Sequence, residues 1–214
     1  MANSVWTGCL ISTSSVIIED IKGICNAGSA HMAYFFFDYK DTGKQDAQAF
    51  LSSILIQFGN QSDSFCNILL ALYSAHYHGA EKPSDRALTQ CLEKMLGIPG
   101  EIPLYLIIDA FDECPITTGT SSPRGKALSL VEKVVNLNLP NLRVCITSRR
   151  EIDIRNSFEP LTSNCISLHD KSEQKKDIVN FVRSEVYSDR NMRRWRDEDK
   201  ELVVETLSDR ADGM

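Results

Sequence analysis

The segment Leu104-Tyr-Leu-Ile-Ile-Asp-Ala-Phe-Asp-Glu113 limits the choice of fold more than any other part of this chain. Five apolar residues end abruptly in Asp109, and two further acids follow at Asp112 and Glu113. The run is short, is entered from Pro103 and is left through Pro115. It reads as a strand buried on both faces, which requires a parallel sheet with helices on either side. Carboxylates at the carboxyl end of such a strand stand where open α/β sheets bind ligands. Three acids there are costly unless a cation shares the site. In nucleotide-hydrolysing folds that cation is a magnesium ion on a triphosphate.

Strands and helices alternate along the rest of the chain. Apolar residues at Val16, Ile17, Ile21 and Ile24 have helical spacing, so Ser14 to Ile24 is expected to be a helix. The aromatic stretch His31–Phe37 reads as a strand, and Asp41-Thr-Gly43 as a turn. Helices are expected over Ala47–Phe58, Asp63–Tyr77 and a third segment capped by Ser84 and stopped by Gly97. A helix from about Arg124 to Leu137 follows the Leu104 strand, then a strand over Leu142–Thr147 and a short helix over Glu151–Phe158. Cys165–Leu168 is a candidate further strand, and helices are expected over Lys171–Tyr187 and Asp197–Ala211. This alternation gives an α/β fold with a parallel sheet in a three-layer αβα arrangement.

Composition removes several classes of function. Of the 214 residues, 43% are hydrophobic and 24% charged, which is a globular balance. The net charge of −6 argues against a general nucleic-acid binder, which needs a basic face. No apolar stretch reaches the roughly 18–20 residues of a membrane span. Met1–Leu10 lacks the basic start and apolar core of a signal peptide. The seven cysteines are scattered and form no CxxC pair, so they read as reduced thiols of a cytoplasmic protein.

The candidate chemistry lies at the ends of two strands. Asp109 would hold magnesium if a nucleotide binds, and Asp112 or Glu113 would orient an attacking water. The strand Leu142–Thr147 runs into Ser148-Arg149. If the two strands are neighbours, Ser148 and Arg149 reach the same edge, where a guanidinium can grip phosphate oxygens. The plainer reading pairs Arg149 with Glu151 or Asp153 on the surface. His76 and His78 are two residues apart and do not share a helix face, so they read as a helix end, not a metal pair. The basic run Arg190–Arg196 is neutralised by neighbouring acids. Cys114 has no assignable histidine partner, so nothing marks it as a nucleophile.

The stretches Tyr105–Pro115 (YLIIDAFDECP) and Leu142–Ile154 (LRVCITSRREIDI) resemble the Walker B and sensor strands of NACHT-type signalling ATPases. They are most similar to the fungal proteins with a nephrocystin-like N-terminal domain. Ser14–Lys22, Ala33–Asp46 and Lys175–Arg196 are similar to the same set. The resemblance implies a P-loop NTPase fold of the STAND class, using ATP/ADP with magnesium to switch a larger receptor. It implies Asp109 as the Walker B acid, Asp112 and Glu113 as its acidic extension, and Arg149 as the sensor. It further implies three parts: residues 1–13 in place of the first strand and phosphate loop, a nucleotide-binding core over 14–170, and the start of a helical extension over 171–214.

One departure matters most. Aligned on Ser14–Lys22, Leu10 falls where the phosphate-binding lysine belongs and Ile11 where the magnesium-binding hydroxyl belongs. Thr42-Gly43-Lys44 lacks the first glycine of the loop and follows the wrong strand. A phosphate loop grips through backbone N–H groups and a lysine. Without it, the expectation is a degenerate ATP-switch module without hydrolysis, whose sheet lacks its first strand and exposes an apolar edge beside Leu142–Thr147. Self-association or pairing with related NACHT proteins would follow. Two alternatives stay open: an interaction fragment of the same family that meets no nucleotide, and a rearranged N-terminus of an intact NTPase. The end at Asp209–Met214 reads as cut.

Overall fold

The computed structural model describes residues 11–100, 102–117, 122–161 and 173–210, with side chains left aside at 11–13, 173–175 and 177. It divides into two compact units, Met1–Ile166 and Ser167–Met214. The first contains helix α1 (Ile11–Asn26), strand β1 (His31–Phe36), helices α2 (Ala47–Gly59), α3 (Asp63–Ala75) and α4 (Asp85–Leu96), and strand β2 (Leu104–Asp109). Helix α5 (Pro123–Asn136), strand β3 (Leu142–Ile146) and helix α6 (Ile152–Phe158) complete it. In the second unit α7 (Glu173–Ser188) packs against α8 (Asp197–Arg210). There Arg183 reaches Glu201 through Nε (3.2 Å) and Nη2 (2.8 Å).

The three strands are parallel in the order β1-β2-β3. Register pairs His31 with Leu104 and Leu104 with Leu142 at one end, and Phe36 with Asp109 and Ile108 with Ile146 at the other. Parallel strands force helical crossovers; here the crossover helices α2–α5 lie on one face, and α1, which precedes β1, lies on the other. Ala33, Phe35, Leu104, Leu106, Ile108, Leu142, Val144 and Ile146 share one large apolar core with residues of α2, α4, α5 and α6. On the opposite face Ile18 of α1 packs with Met32 and Ile107, flanked by Tyr34, Phe36, Tyr105 and Cys145. The αβα layering follows from these two cores.

Local signals set most boundaries. The side chains of Asp46, Ser62, Ser84 and Ser122 accept N–H groups of the first turns of α2, α3, α4 and α5, contacts that each contribute about 0.5–2 kcal/mol. Helix α3 stops at Ala75, not Tyr77. Tyr77 (φ 50°), His78 (φ 54°) and Gly79 (φ 88°) turn left-handed, and a right-handed helix cannot continue through them. His76 instead caps the helix, its Nδ1 lying 2.8 Å from the Leu72 carbonyl oxygen.

Two expectations fall on residues outside the described ones: the missing first strand and phosphate loop within residues 1–10, and the strand Cys165–Leu168. The edge expected beside β3 depends on the same two segments; the fully buried Leu142, Val144 and Ile146 lie on a face of the sheet, not at that edge.

Candidate functional site at the strand ends

β2 and β3 are adjacent and parallel, so Asp109 and the Thr147-Ser148-Arg149 turn do meet at one edge. The chain leaves β2 through Ala110, which sits in the left-handed region (φ 52°, ψ 46°), a conformation that costs a residue with a Cβ about 1–2 kcal/mol. Thr147 holds it there. Its Oγ1 accepts the Ala110 N–H (3.0 Å), its carbonyl accepts the Phe111 N–H (2.9 Å), and its own N–H donates to Ile108 (2.9 Å). The following turn, Phe111–Glu113, buries Phe111 and leaves Asp112 and Glu113 half-buried at the strand end.

Asp109 is buried, with only 4% of its surface exposed. Its Oδ1 accepts two hydroxyls, Ser14 from α1 and Thr147 from the end of β3. Asp112 accepts the backbone N–H of Arg149 (2.9 Å), and its other oxygen lies 3.5 Å from the Arg149 Nε. Glu113 accepts the Tyr39 N–H (3.2 Å) from the turn after β1. Ser148 donates to the Arg149 carbonyl (2.8 Å). The three acids therefore do not face one another uncompensated. Each is satisfied by the protein.

Arg124, buried in the first turn of α5, carries the turn from behind. Its Nε donates to the Cys114 carbonyl (2.7 Å), Nη2 to the Asp112 carbonyl, and Nη1 to Glu151, with Asp153 at 3.5 Å. Glu151 and Asp153 thus pair with Arg124, whereas Arg149 pairs with Asp112. Burial pushes the Cys114 thiol up to about 12 and the Cys145 thiol up to about 11. A thiol held protonated in this way is no nucleophile at neutral pH.

The sequence singled out Asp109, Asp112, Glu113, Ser148 and Arg149, and the fold brings all five to one edge. It did not find Ser14, Thr147 or Arg124. Arg124 left a readable trace, since a cation in the first turn opposes the helix dipole and implies a specific partner. Among the described residues no group of three or more His, Cys, Asp or Glu side chains is arranged to hold a metal. Two hydroxyls occupy the Oδ1 of Asp109, which leaves its second carboxylate oxygen as the one that a hydrated magnesium ion would use if a nucleotide bound. A groove of about 820 Å³ lies elsewhere, between α4 and α5, lined by residues such as Arg86, Thr89, Lys126 and Lys133.

A parallel sheet covered on both faces, with an acidic turn and an arginine at its carboxyl edge, defines an α/β domain with a strand-end site. The family described as nephrocystin 3, N-terminal matches residues 10–149, and the chain belongs to it. No curated protein matches the chain. Solved structures are similar at low level, two of them as follows. A chain of Drosophila ORC bound to AT-rich DNA and Cdc6 has 11% identity, with 98% of this chain and 73% of that chain covered, at a TM-score of 0.45. A chain of Drosophila ORC bound to DNA has 15% identity, with 73% and 88% covered, at a TM-score of 0.28. At such scores the likeness says nothing of what this chain binds.

Proposed function

We propose that the chain is a nephrocystin-like, degenerate ATP-binding switch module of a cytoplasmic STAND signalling protein of the NACHT type, with its scaffold intact and hydrolysis lost. The observation that carries this reading is the engagement of Asp109 by Ser14 and Thr147, with Asp112 on Arg149 and Glu113 on Tyr39. The strand-end acids have become a structural lock between α1, the acidic turn and the β3 turn. No helix among the described residues is long and apolar enough to cross a membrane.

Titration of the full chain with a fluorescent ATP analogue, with and without magnesium, tests the reading. The expected result is affinity weaker than micromolar, a small rise in Tm at millimolar ATP that Asp109→Ala abolishes, and ATP turnover no faster than that of Glu113→Gln. Micromolar, magnesium-dependent binding or turnover above the Glu113→Gln background would overturn it. A Tm indifferent to ATP at every concentration would favour the interaction fragment that meets no nucleotide.

A further inference from the structure

β1 ends the sheet among the described residues, and its outward edge is closed by two side chains. Alternate residues of β1 bond to β2. The His31 N–H donates to Pro103 and the Phe37 N–H to Asp109, so the backbone groups of Met32, Tyr34 and Phe36 face outward. Gln61 accepts the Met32 N–H (2.9 Å) and donates to the Met32 carbonyl (2.7 Å). Gln57 does the same for Tyr34, at 3.0 and 2.7 Å. The spare amide protons are used as well, on the Gln57 carbonyl (2.8 Å) and the Ser53 hydroxyl (3.0 Å).

The match is geometric. Four residues of helix rise about 6.0 Å, and two residues of strand advance about 6.6 Å. α2 runs antiparallel to β1, with Gln57 in its last turn and Gln61 in the tight turn just after it, where the Gln61 N–H donates to the Phe58 carbonyl (2.9 Å). The two glutamines thus meet backbone amides two apart, and each carboxamide stands in for a peptide group of an absent strand. At position 53, one step further along, the side chain is a serine, and the pattern stops short of Phe36.

The strand beneath is otherwise unguarded. Edge strands usually carry a lysine, a proline or a bulge that prevents another strand from adding. His31-Met-Ala-Tyr-Phe-Phe-Phe37 has none of these. It is aromatic, lacks acids, lysine and arginine, and has the composition of segments that pair with copies of themselves. We propose that Gln57 and Gln61 form a latch over a strand-addition surface, and that β1 of a second copy of this chain is the occupant when the latch is open. Antiparallel pairing about a two-fold axis at Tyr34 would set Tyr34 opposite itself and Met32 opposite Phe36. These cross-strand pairs of aromatic and apolar side chains stabilise such ladders.

Hydrogen exchange and sedimentation on the full chain test this. In Gln57→Ala/Gln61→Ala, the Met32 and Tyr34 amides should exchange at least tenfold faster than in the parent at low protein concentration. Sedimentation should show a dimer growing with concentration beyond any self-association of the parent, with the two amides protected again in the dimer. Adding Tyr34→Lys to that pair should return the protein to the parent's association state, because two like charges would then meet at the axis. Unchanged exchange overturns the proposal. So does a variant that associates no more than the parent up to hundreds of micromolar, or a dimer that survives Tyr34→Lys. If the double variant does not unfold cooperatively, Gln61→Asn, one methylene too short to reach Met32, is judged by the same exchange and sedimentation criteria.

Discussion

The two faces of the sheet are built on different principles. On one, Ala33, Phe35, Leu106, Ile108, Val144 and Ile146 lie under α2, α4, α5 and α6 and are almost wholly shielded from solvent. On the other, Met32 and Ile107 are buried beneath α1, but Tyr34, Phe36, Tyr105 and Cys145 are only partly covered. Among the described side chains of α1, Ile18 is fully packed there, Ile17, Ile21 and Cys25 are partly buried against it, and Ser14 donates to Asp109. Among the described residues, the large face is held by apolar area, the small face by a smaller apolar cluster and a hydroxyl on an acid. Moving parts of proteins come from the weakly held end of the structure. Here the weakly held helix is the one whose N-terminal turn touches the strand-end acid.

The comparison breaks most sharply at Phe58, fully buried in the large core. Phe58→Ala should cost about 3–5 kcal/mol and lower the denaturant midpoint of the first unit as a whole. Ser14→Ala should cost about 1–3 kcal/mol, because it removes a donor from a buried acid. Its signature is local: the amides of α1 exchange faster while those of α2 and α5 do not. Equal acceleration everywhere would mean that α1 is no weaker than the rest. Ile18→Val, one methylene in the small core, should cost about 0.5–1.5 kcal/mol and again be felt first in α1.

These differences also show what could be read in the sequence. The large face was legible because its residues follow strand and helix periods closely, and β2 was bounded to the residue by two prolines and an acid. Asp109 and Arg149 could be placed at one edge because parallel strands share a carboxyl end. The small face was not legible, since Met32, Tyr34 and Phe36 read only as half of an aromatic strand. Ser14, Thr147 and Arg124 act across 10 to 95 residues of separation, and no local period carries such a pairing. The same limit hid Gln57, a polar position of an amphipathic helix, and Gln61, just past that helix's end, until a strand edge is set beside them.

Two thiols, one on each face, give the finest test. Burial raises the Cys114 thiol, in the large core, to about 12 and the Cys145 thiol, on the small face, to about 11, from an ordinary value of 9.0. A raised thiol pKa means that the fold binds the proton more tightly than the unfolded chain. Stability is unaffected below about pH 9 and falls as pH rises through 9 toward 11 and 12. Cys145→Ser should remove the part of that loss between about 9 and 11, and Cys114→Ser should remove a part reaching about 12. Maleimide labelling at pH 8 then separates the faces. Cys145 should label through local opening of α1, at a rate that barely depends on low denaturant and that Ser14→Ala increases. Cys114 should label only through global unfolding, at a rate that rises steeply with denaturant and that Ser14→Ala changes only by its effect on overall stability. Labelling of both thiols with one denaturant dependence would mean that the faces open together, and the division drawn between them would fail.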